Sequence, residues 1–242
     1  MPESDPAWQV VKGKPWPTKA KGHAAFNLMI DRNIGEMFSL LRELGIDEKT
    51  IVFFCSDNGA SGRFEGTLDS CGPLTGFKRS MYEGGIRSPL IVRWAGKIKP
   101  AQVSDLRTYF PDVMPTLAEL AAATKFVPKD IDGLSIVPTL MGTGKQKKHK
   151  YLYWEWPAYN WGKSKYTGKM MQAARLGKWK MLRHDNARPW ELYNISRDIA
   201  EKHNVAERHP ELIKKLDAWA AANRTDPLGQ KEPTKPKGKR YR

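Results

Sequence analysis

The sequence predicts an α/β region with a mostly parallel sheet, followed by a small α+β region with an antiparallel sheet and a terminal helix. A long amphipathic helix, a short loop and a continuous apolar strand follow one another over residues 24–56, an order typical of parallel sheets covered on both faces. Further along, short aromatic stretches of alternating polarity indicate antiparallel strands. We therefore place domains at residues 1–145 and 146–224, followed by a basic, disordered tail at 225–242.

The chain is strongly basic for a protein of ordinary hydrophobic content. Its 242 residues include 41 Lys and Arg against 26 Asp and Glu, a net charge of +15, with basic clusters at 142–150 and 231–242. Such clusters are either solvated loops or surfaces that attract a polyanion. No apolar run approaches the roughly 18 residues of a membrane span, so we expect no membrane segment. The first residues also lack the basic and apolar regions of a signal peptide.

The first region opens with an amphipathic helix and a strand. Between Ala24 and Leu44, apolar residues recur at the spacing of one helical face. Gly45 follows at the place where helices commonly end with a left-handed residue. The apolar run from Ile51 to Ser56 then predicts a strand that is buried on both faces of a sheet.

A second strand and a second helix follow in the same region. Pro89 to Trp94 predicts another buried strand. Residues 110–123 predict a helix with Pro115 in its first turn, where the missing N–H of proline is tolerated. The remaining elements are a loop and short helix over 132–142, antiparallel strands over 151–156, 171–184 and 190–196, and an amphipathic helix over 209–223.

Polar residues interrupt the first strand abruptly at its carboxyl end. Asp57 and Asn58 follow directly after the apolar run and precede Gly59. Asp, Asn and Gly are common turn residues, so an ordinary turn is one interpretation. The other is a metal site, because carboxylate and amide oxygens suit Ca²⁺ or Mg²⁺ and ligands bind at the carboxyl ends of strands in α/β sheets.

A lysine in a glycine-rich stretch is a second candidate. Lys78 lies between Gly76 and the glycine pair Gly84 and Gly85, which permits a tight turn or a close approach of two backbone segments. A lysine near a metal ion can hold an anionic oxygen of a substrate as a point charge. The alternative is a surface lysine without a function.

Six stretches in this order resemble the carboxyl-terminal half of a sulfatase of the arylsulfatase type, within the alkaline-phosphatase-like superfamily. The resemblance runs from about Trp16 to Trp219, and the order of the stretches is more specific than any one of them. They are GIDEKTIVFFCSDNGA, GFKRSMYEGGIRSPLIVRWAGKI, DVMPTLAELA, DGLSIVPTLMG, ARLGKWKML and ELYNISRDIAEKHNVAERHPELIKKLDAW.

The resemblance implies roles for three residues. In sulfatases the Asp and Asn of the SDNG motif are two ligands of the active-site calcium, which correspond to Asp57 and Asn58 here. The Lys before the glycine pair contacts the sulfate group, which corresponds to Lys78. The family also implies a sandwich with a mostly parallel sheet and a smaller carboxyl-terminal domain.

The departures from the family concern the nucleophile. Sulfatases use a formylglycine made from the Cys or Ser of a C-x-P-S-R or C-x-A-x-R motif, and the sequence contains neither. Cys55 precedes Ser-Asp-Asn, and Cys71 precedes Gly-Pro-Leu. The paired aspartates that complete the calcium site in the family are missing as well. We therefore expect no nucleophile, no formylglycine and no turnover in this chain by itself.

The resemblance thus implies a sulfuric ester hydrolase fragment that supplies calcium ligands and a sulfate-binding lysine. One alternative is a phosphodiesterase or phosphonate hydrolase of the same superfamily, because sulfate and phosphate esters both require groups that bind their anionic oxygens. The other is a non-catalytic polyanion-binding protein that uses the net charge of +15.

The implied substrate of the full enzyme is a sulfated small molecule or a sulfated polysaccharide. We expect no specific nucleic-acid partner, because the chain has no aromatic and basic recognition module of a known type. The full-length family member is expected to be periplasmic or secreted. Strands 51–56 and 89–94 are expected to belong to a larger sheet, so we also expect the chain to be unstable or partner-dependent when it is expressed alone.

Overall fold

The computed structural model of the chain describes residues 3–64, 66–160 and 165–223, and the predicted tail lies outside these ranges. Contacts divide the chain into a first unit, residues 1–72 and 87–149, and a second unit, residues 73–86 and 150–242. Within the described ranges, no helix is long and apolar enough to cross a membrane.

The two units share twelve helices and strands among the described residues. In chain order, the helices are α1 (Pro6–Val11), α2 (Thr18–Glu43), α3 (Glu83–Ile86), α4 (Val113–Leu120), α5 (Val137–Met141) and α6 (Pro210–Asn223). The strands are β1 (Ile51–Cys55), β2 (Leu90–Trp94), β3 (Tyr151–Asn160), β4 (Lys165–Leu176), β5 (Trp179–Arg183) and β6 (Glu191–Asn194).

In the first unit, α1 and α2 pack against each other. The carboxylate of Asp5 accepts the backbone N–H of Ala7 at 2.8 Å and so caps the amino terminus of α1. The same carboxylate pairs with Arg32 of α2 at 3.2 Å. Trp8 of α1 and Ala25 of α2 are buried in the small apolar cluster that joins the two helices.

The long helix begins earlier than its apolar pattern predicts and ends where Gly45 predicts. It starts at Thr18 rather than at Ala24. Gly45 has a φ of 67° and donates its N–H to the carbonyl of Arg42 at 3.0 Å. The prediction of a left-handed glycine at the helix terminus is therefore confirmed.

The strands of the first unit pair in antiparallel fashion, with Ile51 opposite Trp94. No parallel pair occurs among the described strands, so the predicted mostly parallel sheet is not confirmed. An apolar run indicates burial but does not encode strand direction, which explains this difference. The strands are also less buried than expected, since Phe54 is 38% exposed and Ile91 is 60% exposed.

An ion pair ties β2 to the turn that precedes β1. Arg93 donates two hydrogen bonds to the carboxylate of Asp47, at 2.6 and 2.7 Å. The guanidinium of Arg93 also lies 4.5 Å from the ring centroid of Phe38 in α2. One side chain therefore contacts both the helix and the turn that lead into the strand carrying Asp57 at its end.

The second unit contains an antiparallel sheet with the order β3-β4-β5-β6, packed against the terminal helix α6. This part of the predicted fold is confirmed. Successive residues of a strand point to opposite faces of a sheet, so Met181 joins Leu216 of α6 in one apolar cluster. Leu182 joins Met81 of segment 73–86 in the other. The sheet therefore has cover on both faces.

The predicted first domain, 1–145, included segment 73–86, which the structure packs with the second unit. The reason is a buried charge that the local sequence does not reveal. Glu83 pairs with Lys180 of β5, which lies 97 positions later in the chain. The main division between the units falls after His149.

Asp47→Asn should reduce the loss of stability that the chain undergoes when the pH falls from neutral to acidic. Hydrogen bonding to Arg93 lowers the pKa of the Asp47 carboxyl, because it favours the ionised form. Such a carboxylate contributes stability above its unfolded-state pKa and loses that contribution as the pH falls through the lowered folded-state pKa. Urea unfolding at about pH 7 and about pH 3 should therefore show a smaller difference for Asp47→Asn than for the wild type.

Asp31→Asn is the matched control, because Asp31 lies exposed on α2. Its unfolding should show the wild-type dependence on pH. If Asp47→Asn also retained that dependence, the pair with Arg93 would not contribute to acid stability.

Candidate functional site

Asp57 and Asn58 lie at the carboxyl end of β1, as the sequence predicts. Asp57 is exposed, Asn58 is half-buried and Gly59 is buried. Among the described residues, no hydrogen bond engages either side chain, so their oxygens are available to a ligand. A carboxylate and an amide fit part of a site for a hard cation such as Ca²⁺. No group of three His, Cys, Asp or Glu suited to a metal exists within the described ranges, so Asp57 and Asn58 would supply only part of such a site.

Lys78 lies in a tight turn of the second unit. The N–H of Ser80 donates to the carbonyl of Phe77 at 2.9 Å and closes the turn. Gly76 has a φ of 77° and Arg79 a φ of 80°, a left-handed conformation that is uncommon for a residue with a side chain. Lys78 itself is exposed. The turn therefore presents its ammonium group to solvent from a constrained backbone.

The glycine pair permits the close backbone approach that the sequence predicts. A Cβ on Gly84 would lie 2.2 Å from the carbonyl oxygen of Gly76, and one on Gly85 would lie 2.2 Å from that of Ser80. The N–H of Gly84 also donates to the carbonyl of Thr75 at 2.8 Å. Only glycine fits where α3 packs against the turn that carries Lys78.

A buried charge network lies beside this turn. Lys180 Nζ is 2.9 Å from Glu83 Oε1 and 3.1 Å from Glu201 Oε1, and the three side chains are at most 1% exposed. Arg175 approaches the other oxygen of Glu83 at 3.3 Å. Burial raises the pKa of the Glu201 carboxyl, while the positive charge of Lys180 opposes the rise. The two negative and two positive charges thus compensate each other in a space that is largely shielded from water.

A second polar cluster surrounds Glu191. Its Oε2 atom accepts hydrogen bonds from the hydroxyls of Tyr82 at 2.9 Å and Tyr193 at 2.6 Å. His184 lies 3.2 Å from the hydroxyl of Tyr82. Burial, reinforced by the hydrogen bond to Glu191, raises the pKa of Tyr82 to about 12. Both tyrosines therefore stay neutral donors near neutral pH and fix the carboxylate.

The basic run 142–150 is anchored in the first unit. His149 Nε2 lies 2.8 Å from Asp112 Oδ1, with both side chains largely buried. Gln146 accepts the hydroxyl hydrogen of Thr139 at 2.7 Å. The exposed Lys148 and the partly buried His149 border a cavity of about 460 Å³. The run is thus a surface segment with exposed lysines that two polar anchors hold in place, which fits both interpretations of its sequence.

The structure places the predicted site residues in different units. Asp57 and Asn58 belong to the first unit and Lys78 belongs to the second. No motif in the sequence points to Lys180 or Glu201. The sequence placed Lys180 only within the predicted strand region 171–184, and its partners Glu83 and Glu201 lie outside that region.

Two family profiles match the chain. The profile described as N-sulphoglucosamine sulphohydrolase, C-terminal, matches residues 76–224, more than half of the chain. The profile described as Sulfatase matches residues 18–123. Together they cover every candidate residue of both units.

Individual relatives agree with the profiles. N-acetylgalactosamine-6-sulfatase of Mus musculus is 33% identical over 193 residues, which cover 76% of this chain and 34% of that protein. The structure of Ps i-CgsB in complex with k-i-k-neocarrahexaose has a TM-score of 0.73 and 25% identity, covering 91% of this chain and 48% of that one. BT4656 in complex with its substrate D-glucosamine-2-N,6-O-disulfate has a TM-score of 0.66 and 26% identity, covering 93% and 46%. The chain spans about a third of the length of the curated relatives it matches.

Gly84→Ala should destabilise the chain by about 1–3 kcal/mol, because the added Cβ would overlap backbone atoms that cannot move independently. Gly35→Ala is the control, since nothing lies within 4 Å of a Cβ at this position in α2. That change should stabilise the chain by up to about 1 kcal/mol through helix propensity. Urea unfolding followed by circular dichroism measures both. An undiminished free energy of unfolding in Gly84→Ala would contradict the close approach of α3.

Proposed function

The chain belongs to the sulfatase family, and we propose that it supplies the calcium-ligating and sulfate-binding part of a sulfuric ester hydrolase. The observation that carries the proposal is the state of its motif residues. By resemblance, Asp57, Asn58 and Lys78 correspond to motif positions of the family, and the proposal is supported by their polar groups, which are exposed or half-buried and so accessible to a ligand.

Asp57 and Asn58 would hold a calcium ion through one carboxylate and one amide oxygen. When bound, the ion would supply positive charge to the oxygens of a sulfate group. The end of β1 supports this role, because the chain bends at residues 57–59 directly after the strand, with Gly59 buried. Further ligands have to complete the shell, since calcium takes roughly six to eight oxygens.

Lys78 would bind the sulfate group of the substrate. Its ammonium group offers three donors and a compact charge, which suits an anion with several equivalent oxygens. Because the surrounding turn is constrained by Gly76, Arg79 and Gly84, the backbone that carries the lysine needs little reorganisation when an anion arrives. Such preorganised charge lowers the free energy of negative charge that develops during ester hydrolysis.

We propose a sulfated carbohydrate as the substrate class. Relatives support this class, because one is named for a sulfated amino sugar and two solved relatives hold a neocarrahexaose and a glucosamine disulfate. The net charge of +15 adds a long-range attraction for polyanionic chains.

The chain carries no C-x-P-S-R or C-x-A-x-R motif, so we assign it no nucleophile. Ester hydrolysis then requires a nucleophile that these 242 residues do not contain. The purified chain should leave 4-nitrophenyl sulfate intact in the presence of Ca²⁺, and sustained turnover would contradict the assignment.

The chain should bind Ca²⁺ weakly, with a dissociation constant on the order of 1 mM, because so few ligands are present. Asp57→Ala should raise that constant about tenfold, which corresponds to ~1.4 kcal/mol. Isothermal titration calorimetry measures the constant. Asp31→Ala removes the same charge from an exposed position of α2 and should leave it unchanged. Equal affinities in both variants would exclude Asp57 as a ligand.

Lys78→Ala should weaken the binding of inorganic sulfate about tenfold, because a charge-assisted hydrogen bond contributes roughly 1.5 kcal/mol. Nuclear magnetic resonance titration with sodium sulfate at constant ionic strength measures the affinity. Lys99→Ala is the control, since Lys99 is exposed and its loss changes the net charge equally. If both variants lost affinity to the same extent, sulfate would be responding to overall charge rather than to Lys78.

A further inference from the structure

We infer that Lys180 and Glu201 are positioning residues for Lys78, and that they act through Glu83 and the backbone on both sides of the lysine turn. The inference rests on the proposed role of Lys78 in binding sulfate. Neither residue touches the substrate in this assignment. Their function is to fix the place from which the ammonium group of Lys78 reaches an anion.

Two neighbouring residues clamp both ends of the segment that carries Lys78. The hydroxyl of Thr75, before the turn, donates to the carbonyl of Ala200. The N–H of Glu83, after the turn, donates to the Oε2 atom of Glu201 at 2.7 Å. Since Ala200 and Glu201 are adjacent in sequence, a single short piece of chain holds both ends of the loop.

Lys180, on strand β5 of the sheet, stabilises the contact between Glu201 and the loop that carries Lys78. Its buried ammonium group lies between the carboxylates of Glu83 and Glu201, at 2.9 and 3.1 Å. Without Lys180, two carboxylates would face each other in a buried space, and they would repel. The lysine therefore makes it possible for Glu201 to approach the backbone of Glu83.

The clamp holds Glu201 in a conformation that the residue does not favour. Glu201 has a φ of 51°, in the left-handed region that is uncommon for residues with a side chain. Its carboxyl is also buried, with a raised pKa. Apolar residues of similar size would fill this space at a lower desolvation cost. The charged arrangement instead fixes the position of the loop, because the Oε2 atom of Glu201 accepts the backbone N–H of Glu83, while the Oε1 atom of the same carboxylate has only the ion pair with Lys180 at 3.1 Å.

Between the two ends of the clamp, Lys78 is exposed while Met81 is buried in the apolar cluster of the sheet. The turn that carries Lys78 is thus exposed, whereas the residues on both sides of it are held against the second unit. Because these residues are held by one carboxylate and one carbonyl, a change at Glu201 shifts the turn without removing the apolar contacts of Met81. This separation allows an effect on position to be distinguished from an effect on folding.

The test compares sulfate affinity and folding in the full 242-residue chain. Glu201→Gln keeps the size of the side chain but removes its charge. Lys178→Met is the matched control for Lys180→Met, because Lys178 lies two positions away and is exposed. Each variant is titrated with inorganic sulfate well below its melting temperature, and the backbone amide signals of residues 76–80, which are also present in Lys78→Ala, report binding.

We expect Glu201→Gln to weaken sulfate binding at Lys78 about fivefold, or ~1 kcal/mol, while the circular dichroism of the sheet stays that of the wild type. Lys180→Met should weaken it at least as much, and Lys178→Met should leave it unchanged. If Lys180→Met fails to fold, the double variant Lys180→Met/Glu201→Gln, which removes one charge of each sign, replaces it. The double variant should fold but retain the weakened affinity.

A folded Glu201→Gln chain with wild-type sulfate affinity would overturn the inference, provided that Lys78→Ala still loses affinity. Wild-type affinity in Lys78→Ala would instead overturn the proposed role of Lys78. A purely structural role of the network would lower the melting temperature of the variants and leave the affinity of their folded state intact, which also contradicts the inference.

Discussion

The buried ammonium group of Lys180 determines how the second unit is assembled. Lys180 lies directly opposite Arg175 in the pairing of β4 with β5, and like charges in that position destabilise a sheet. The carboxylates of Glu83 and Glu201 resolve the conflict by supplying equal negative charge. Since an unpaired buried ion costs several kcal/mol, the segment that carries Glu83 has to pack on this face of the sheet. Apolar contacts of Met81 alone would allow several placements of that segment, whereas the ion pairs select one.

That placement explains the glycines around the candidate lysine. Once Glu83 is fixed, the first turn of α3 is pressed against the carbonyl oxygens of Gly76 and Ser80, where no Cβ fits. The backbone between them has to reverse direction in a few residues, which requires left-handed conformations at Gly76 and Arg79. The exposure of Lys78 therefore follows from three features of the second unit. These are the buried charge of Glu83, the glycine pair that lets α3 approach the turn, and the reversal of the backbone between Gly76 and Arg79.

Sequence patterns predicted the elements that depend on local periodicity, and they failed where the decisive partner is remote. The helix that ends at Gly45, the antiparallel strands and α6 follow from the repeat of apolar residues and from turn chemistry. The antiparallel pairing of β1 with β2 did not follow, because an apolar run carries no direction. Local chemistry made Asp57, Asn58 and Lys78 candidates, and only the resemblance to a family implied a role for each of them. The partners of Glu83 lie 97 and 118 positions away, and no local pattern reports contacts over such separations.

Lys78 in the second unit and Asp57 and Asn58 in the first unit differ in how firmly their own units hold them. Lys78 stands on a loop anchored by buried ion pairs, backbone hydrogen bonds and a sheet with cover on both faces. Asp57 and Asn58 stand at the end of β1, where Phe54 is 38% exposed and the partner residue Ile91 is 60% exposed. Segments with few buried apolar contacts and with solvent-exposed backbone hydrogen bonds are those that open locally at the lowest free-energy cost. The backbone that carries Lys78 is therefore held by its own unit, whereas the positions of Asp57 and Asn58 depend mainly on the pairing of β1 with β2 and on the ion pair between Asp47 and Arg93.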